Sequence, residues 1–125
     1  FGEYLGIAYQ IKDDIFDVVG NIDNTGKKSN LDLKKNMLTL PFIYCLSKMD
    51  SSEKSIFLRK IKKSSSKSNL SEIKNMINKI GGLEYAQNKI EEFSDLARKE
   101  LSEFEDSIFK KSLLLAVDFN CKREF

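Results

Sequence analysis

The sequence predicts an all-α fold, built as a bundle of helices. Along most of the chain, apolar residues recur at spacings of three and four, the pattern of helices with one buried face. No segment shows convincing alternation of apolar and polar residues, and there is no internal repeat. Hydrophobic residues make up 41% of the sequence and proline occurs once, so a packed helical core is feasible. At 125 residues the chain is one domain or part of one.

The first half of the chain predicts two helices separated by a loop. Residues 1–19 are apolar nearly all round, which suits a central, buried helix ending near residue 20. Residues 21–32 are polar and rich in turn residues, so we expect a loop. A second helix opens in residues 38–46, where Thr39 is a fair N-cap and Pro41 is tolerated in the first turn.

The second half predicts further helices with local start and stop signals. Residues 50–53 resemble a capping box that opens a helix through about residue 62. Residues 64–68 read as a short flexible link, and Asn69 with Glu72 resembles another cap pair. Gly81 and Gly82 should stop the helix that follows. Its apolar residues hold helical spacing: Leu70, Ile73, Met76, Ile77 and Ile80.

One long apolar stripe and a final helix complete the chain. We interpret the stripe as ordinary core packing rather than a ligand site. The final helix is expected at about residues 110–123. The stripe consists of Ala86, Ile90, Phe93, Ala97, Leu101, Phe104 and Ile108.

Composition excludes several classes of function. The 21 basic and 19 acidic residues leave a net charge of +2, which offers no strong attraction for nucleic acid. No run approaches the roughly 20 apolar residues of a membrane-spanning helix. Cys45 and Cys121 form no metal-binding or disulfide pattern and suit a reducing cytoplasm. Residues 60–67 form a local basic patch that we interpret as a helix end.

Three carboxylates carry the strongest chemical signal. Asp13, Asp14 and Asp17 stand at i, i+1 and i+4 in an otherwise apolar helical run. Like charges at this spacing repel each other, and the negative end of the helix dipole opposes them further. A divalent cation would reverse that balance. With no histidine and no paired cysteines, hard oxygen ligands favour Mg²⁺, which also takes waters and substrate phosphates. The alternative is an exposed acidic helix end that binds no metal.

The order of these residues and their neighbours resembles the trans-polyprenyl diphosphate synthase family. The pattern runs G-x-x-x-G-x-A-[FY]-Q-I-x-D-D-x-x-D, then G-K, D-L and T-L-P, from Gly2 to Pro41. It is similar to the family's second aspartate-rich region, and Leu113 to Arg123 resembles its final helix. The sequence from Thr39 to Leu46 looks most like that of medium- and long-chain members, including heptaprenyl-type catalytic subunits. The resemblance implies the isoprenoid synthase fold, with residues 1–125 as the C-terminal part of one such domain.

Roles follow from the resemblance residue by residue. Asp13, Asp14 and Asp17 match the second DDxxD motif and would hold Mg²⁺, with Asp13 as the foremost ligand. Gln10 matches the substrate-binding glutamine one turn earlier. Lys27, which alone would pass for a solvated loop lysine, matches the lysine that meets the allylic diphosphate. The catalytic set implied is therefore Asp13, Asp14 and Lys27.

Two departures from the family pattern qualify the resemblance. Met37 stands where many members have a lysine that contacts the diphosphate, although some heptaprenyl-type relatives also lack it. The family's first aspartate-rich motif and its residues for isopentenyl diphosphate belong to a region N-terminal to the part seen in this sequence. We therefore expect little catalysis from this chain alone.

The resemblance also implies a reaction and partners. Mg²⁺ would assist ionisation of an allylic diphosphate, and isopentenyl diphosphate would attack the resulting cation. No protein nucleophile is required, which fits a chain without histidine. The family association suggests a dimer, with either an identical or a different subunit.

Three other functions stay open at this point. A non-catalytic or regulatory subunit of the same fold would keep the motif as a vestige, and Met37 favours this slightly. A terpene cyclase shares the fold and the magnesium chemistry. A calcium-binding module is suggested by Asn21, Asp23, Thr25 and Asp32, but Lys28 replaces the apolar residue usual in such a loop.

Overall fold

The computed structural model describes residues 1–19, 39–62 and 67–124, with only the backbone described for 67–70. Within this part every regular element is a helix, which confirms the all-α prediction. In chain order the helices are α1 (Gly2–Val19), α2 (Leu40–Lys48), α3 (Ser51–Lys62), α4 (Lys67–Ile80), α5 (Gly82–Leu101) and α6 (Ile108–Lys122).

Helix α1 packs most extensively on α5, and also touches α2 and α6. Its contact face carries Ala8 and Ile11, which are buried against Ala86 and Ile90 of α5. The sequence predicts a central, buried helix here, and in the described part of the chain α1 is buried on one face and exposed on another. Its exposed residues include Tyr9 and Gln10.

A second apolar cluster joins α2, α3 and α4 to the end of α1. Phe42 and Phe57 are fully buried at its centre, with ring centroids 5.9 Å apart. Val18 inserts from the last turn of α1, so the acidic segment lies on a helix whose end is anchored in the core. The other buried members are Cys45, Met49, Ile61, Ile73 and Ile77.

Short-range signals at helix starts were mostly confirmed. The Glu53 N–H donates to Asp50 Oδ1 at 2.8 Å, and the Asp50 N–H donates to Glu53 Oε2 at 3.0 Å, which is the predicted capping box. Thr39 occupies the N-cap of α2 and Pro41 lies in its first turn, as expected. The Thr39 side chain nevertheless makes no capping hydrogen bond.

The predicted start of α4 was wrong. The helix begins at Lys67, so Asn69 lies inside it, and the expected link through residue 68 ends earlier. Glu72 makes an ion pair with Lys60 of α3 at 2.5 Å. A cap-like pair of residues is therefore compatible with a helix interior when one member pairs with a neighbouring helix.

The long apolar stripe stops before its predicted end. Helix α5 ends at Leu101, and Phe104 and Ile108 are exposed rather than core residues. The final helix starts at Ile108, two residues earlier than expected, because the Ser107 hydroxyl accepts the Lys110 N–H at 3.1 Å and caps it.

The glycine pair joins α4 to α5 almost without a linker. Gly81 has φ of +90°, a left-handed conformation that glycine adopts without steric cost, so α4 stops there as predicted. Gly82 is buried against α2, and a Cβ at this position would lie 2.7 Å from both the Pro41 carbonyl oxygen and Cys45 Sγ. The close approach of α5 to α2 therefore depends on a residue without a side chain.

Helix α6 has one apolar side that the described residues do not cover. Phe109 is 79% exposed, and Leu115 and Phe119 are also largely exposed. Its opposite side is anchored by Val117, which is fully buried. Among residues 1–19, 39–62 and 67–124, no helix is both long enough and apolar enough to cross a membrane.

Candidate functional site

The acidic residues lie in the last two turns of α1, where that helix meets α2 and α6. Asp13, Asp14 and Asp17 are all half-buried. The helical spacing of four places Asp13 and Asp17 on one face, as the sequence predicts. The three side chains are thus neither freely solvated nor sealed in the core, which leaves room for a ligand to approach.

Asp14 is bound to the start of α2. Its Oδ2 accepts a hydrogen bond from the Leu40 N–H at 3.0 Å. That N–H is one of the donors left without an intrahelical acceptor at a helix start, and the positive end of the helix dipole favours a carboxylate there. Asp14 therefore provides the cap that Thr39 does not, while the Thr39 Oγ1 is buried with no hydrogen-bond partner among the described residues.

Asp13 is paired with the end of α6. Arg123 Nη2 donates to Asp13 Oδ1 at 2.5 Å, although the two residues are 110 positions apart in the chain. The Arg123 guanidinium also stacks on Tyr9 and Phe16, with its central carbon 4.1 Å and 4.9 Å from the ring centroids. The ring faces attract a cation, so both aromatic residues hold Arg123 beside Asp13.

Lys12 supplies a second cation to the same region. It is buried, and its Nζ donates to the Cys121 carbonyl of α6 at 3.2 Å while lying 5.5 Å from the Phe16 ring centroid. This contact satisfies a carbonyl in the last turn of α6, where a helix has acceptors to spare. It also fixes the end of α6 against α1, two residues before Arg123.

The C-terminal end of α1 has a cation of its own. Lys74 Nζ of α4 donates to the Val19 carbonyl at 3.3 Å. Partial burial lowers the pKa of Lys74. A lysine at the last carbonyl of a helix offsets the negative end of its dipole. This partly relieves the repulsion that the acidic segment meets at that end.

The donor chemistry of the segment fits a magnesium ion, but the described residues do not form a complete cage for one. In the described ranges no three acidic or cysteine side chains converge into a set that could hold a metal alone. Mg²⁺ commonly takes only one or two carboxylates and completes its octahedron with waters and phosphates. The contacts to Leu40 and Arg123 each use one carboxylate oxygen, and each carboxylate has two.

The remaining predicted residues fall at different places. Gln10 is exposed and lies one turn before Asp13 and Asp14 on α1. Asp17 already has an interaction partner. Lys27 lies outside the described residues, as do Met37 and the loop that resembles a calcium site.

Arg123 and Lys12 are the residues that sequence reasoning missed. The sequence places Arg123 only in a final helix, where a cation is ordinarily explained by the helix dipole. Nothing local in the sequence links residue 123 to residue 13. For Lys12 a signal did exist, because a lysine inside a nearly continuous apolar run must find a partner if it is buried.

A second polar cluster joins α5 to α6 behind the acidic segment. Arg98 Nη2 donates to Asp118 Oδ1 at 2.7 Å, and the Cys121 thiol donates to the Ser94 hydroxyl at 3.1 Å. The Arg98 hydrogen bond lowers the pKa of Asp118. Because Cys121 also accepts Lys12 through its carbonyl, this cluster helps to position the end of α6.

Comparison with known proteins gives a consistent result. Residues 1–80 match the family model described as polyprenyl synthetase. The chain is 31% identical to "Solanesyl-diphosphate synthase 2, chloroplastic" of Oryza sativa subsp. japonica over 98% of its own length and 30% of that protein. Over 47 residues it is 45% identical to "Heptaprenyl diphosphate synthase component 2" of Geobacillus stearothermophilus, covering 38% of this chain and 15% of that protein.

The fold is also shared with a solved structure. A geranylgeranyl pyrophosphate synthetase from Pyrococcus horikoshii superposes with a TM-score of 0.87 at 28% sequence identity. The match covers 98% of this chain but 37% of that one. The chain thus spans about a third of the length of the proteins that it resembles over almost its whole extent.

Proposed function

The chain belongs to the polyprenyl synthetase family, and from that premise we propose that it is part of a prenyltransferase. The reaction proposed is condensation of isopentenyl diphosphate with an allylic diphosphate in isoprenoid biosynthesis. The observation that carries this proposal is the acidic end of α1. Asp13 and Asp14 lie half-buried where three helices meet, and each is oriented by a contact from another helix.

The roles proposed for the residues follow from their chemistry. Asp13, Asp14 and Asp17 offer hard carboxylate oxygens, and Mg²⁺ held there would neutralise a diphosphate leaving group as its C–O bond breaks. Lys27 would add a positive charge to the same diphosphate. Gln10, exposed one turn earlier, would hydrogen-bond the substrate. The departing diphosphate, rather than a protein side chain, would accept the proton lost after the new C–C bond forms.

We propose further that residues 1–125 form the C-terminal part of one larger helical domain. Two observations support this. The relatives are about three times as long as the part that matches, and α6 exposes Phe109, Leu115 and Phe119 on one side. Exposed apolar surface of this kind is costly unless other protein covers it. The uncovered side of α1, which includes Gln10, would face the remainder of that larger domain.

We also propose an assembly and a location. One relative is named as a component of a heptaprenyl diphosphate synthase, which supports a multimer, either a homodimer or a pair of unlike subunits. Cys45 and Cys121 are free thiols, which fits a reducing cytoplasm. A non-catalytic subunit remains the second candidate, and Met37 is the residue that favours it.

The proposal is tested by Mg²⁺-dependent incorporation of labelled isopentenyl diphosphate, with farnesyl diphosphate as primer. The full-length protein should elongate the primer, lose this activity in EDTA and regain it when Mg²⁺ is restored. Separation of the products by length gives the chain length directly. Absence of elongation, with or without a co-expressed partner subunit, would contradict the proposal. Residues 1–125 alone should give little or no product.

A further inference from the structure

The side chain of Arg123 is confined at the end of α6. Its guanidinium lies over Tyr9 and Phe16 and donates to Asp13 Oδ1 at 2.5 Å. The side chain is only 16% exposed, and its Nε is buried with no hydrogen-bond partner in the part of the chain that the structure describes. An arginine pinned in this way differs from a surface arginine, whose long side chain loses conformational entropy when it forms an ion pair.

The backbone around Arg123 is also fixed. Lys12 Nζ donates a hydrogen bond to the Cys121 carbonyl, and the Cys121 thiol donates a hydrogen bond to the buried hydroxyl of Ser94 on α5. The end of α6 is therefore held on α1 by the first contact and on α5 by the second. The packed backbone at the end of α6 therefore positions Arg123 beside Asp13.

We propose that Arg123 is a built-in counter-ion of Asp13 that competes with a divalent cation for this carboxylate. The inference rests on the proposed function, because it takes Asp13 to be a magnesium ligand. A cation bound directly to Asp13 would sit about 2 Å from its oxygen. It would then lie within a few ångströms of the guanidinium, and the two positive charges repel.

The competition has a consequence for the order of binding. A bare divalent cation meets the full repulsion of Arg123, whereas a cation that arrives with a diphosphate brings its own negative charge. Arg123 therefore disfavours a metal ion bound without diphosphate and favours the metal–diphosphate complex over the bare ion. In the absence of both, it keeps Asp13 neutralised and so reduces the repulsion among the three carboxylates.

The direct test is a Mn²⁺ titration of the full-length protein without substrate, followed by electron paramagnetic resonance. The component that depends on Asp13 is isolated by subtracting the Asp13→Asn isotherm. Arg123→Met removes the charge but keeps a long apolar side chain over Tyr9. In wild type the +1 charge of Arg123 would lie about 5 Å from the +2 ion. In a dielectric near that of water, loss of this repulsion in Arg123→Met should tighten Mn²⁺ binding about tenfold.

Matched variants separate this effect from general loss of charge. Arg123→Lys keeps the charge and should bind Mn²⁺ as the wild type does. Lys122→Met removes the same charge from the exposed neighbouring residue and should also leave the affinity unchanged. Adding inorganic diphosphate should shrink the difference between wild type and Arg123→Met.

Each outcome decides the matter. Equal Mn²⁺ affinity in wild type and Arg123→Met would overturn the counter-ion proposal while leaving Asp13 as a metal ligand. Weaker binding in Arg123→Met would also overturn it, since Arg123 would then be orienting Asp13 for the metal. Failure to find any Asp13-dependent binding would overturn both this proposal and the magnesium assignment of the proposed function.

A double-mutant cycle in EDTA tests the ion pair without any metal. The Tm shifts of Asp13→Asn and Arg123→Met, when summed, should exceed the shift of the double variant, because each single change leaves one charge without its partner. Strictly additive shifts would contradict the pairing of the two residues. Circular dichroism is sufficient for this measurement.

Discussion

Asp14 is predicted to have a structural role that can be separated from its proposed role in catalysis. Its Oδ2 accepts the Leu40 N–H at 3.0 Å and caps α2, while Thr39 at the N-cap position makes no such bond. Loss of an N-cap acceptor costs about 0.5–2 kcal/mol, and hydrogen bonds to charged groups lie at the upper end of that range. We therefore expect Asp14→Ala to lower the free energy of unfolding by about 1–2 kcal/mol.

Two comparison variants sharpen the prediction. Asp14→Asn keeps an oxygen that can accept from Leu40 but loses the favourable interaction of the charge with the helix start, so it should cost about 0.5 kcal/mol. Thr39→Val removes an Oγ1 that has no hydrogen-bond partner within residues 1–19, 39–62 and 67–124, so it should change stability by less than about 0.5 kcal/mol in either direction.

The assay is urea unfolding of the full-length protein in EDTA, followed by circular dichroism. The midpoints should fall in the order Thr39→Val, Asp14→Asn, Asp14→Ala, with an unchanged dependence on urea concentration. If Thr39→Val were the most destabilised of the three, or if Asp14→Asn and Asp14→Ala were equally so, the assignment of the cap to Asp14 would be refuted. Both Asp14 variants should lose prenyl transfer, which separates the chemical role from the cap.

Three further predictions concern the packing and the ionisable groups around the site. Gly82→Ala should destabilise the protein by about 1–3 kcal/mol in thermal or urea unfolding, because its Cβ would meet a backbone oxygen that cannot move freely; wild-type stability would refute the close packing. The Arg98 hydrogen bond lowers the pKa of Asp118 from 3.8, so the stability from this pair is present above about pH 4 and is lost as the pH falls through the lowered pKa. Arg98→Met should accordingly flatten the acid end of the stability–pH curve, and an unchanged slope there would contradict the pairing. Burial raises the pKa of the Cys45 thiol, so iodoacetamide should alkylate Cys121 first in the native protein, as read by mass spectrometry; equal rates would show that Cys45 is accessible.

The features that sequence reasoning recovered are those encoded locally. The capping box at Asp50 and Glu53 spans four residues, and the left-handed stop at Gly81 depends on a single residue type. The acidic spacing of Asp13, Asp14 and Asp17 is likewise a local pattern. Each of these could be predicted because the chemistry and the partner lie within one or two helical turns.

The features that sequence reasoning missed depend on contacts between distant parts of the chain. Asp14 meets Leu40 across 26 positions, and Asp13 meets Arg123 across 110. The prediction that the apolar stripe extends beyond Leu101 was wrong for a different reason. The apolar residues keep helical spacing past Leu101, but the helix has already ended there. Periodicity alone does not reveal where a helix stops or which helix covers it.

We propose that Asp13 helps to hold the metal that assists ionisation of an allylic diphosphate. The most direct measurement is turnover of labelled isopentenyl diphosphate by full-length wild type and Asp13→Ala at saturating Mg²⁺, with circular dichroism as the control for folding. We expect Asp13→Ala to stay folded and to lose turnover by orders of magnitude. Wild-type turnover in a folded Asp13→Ala protein would contradict it.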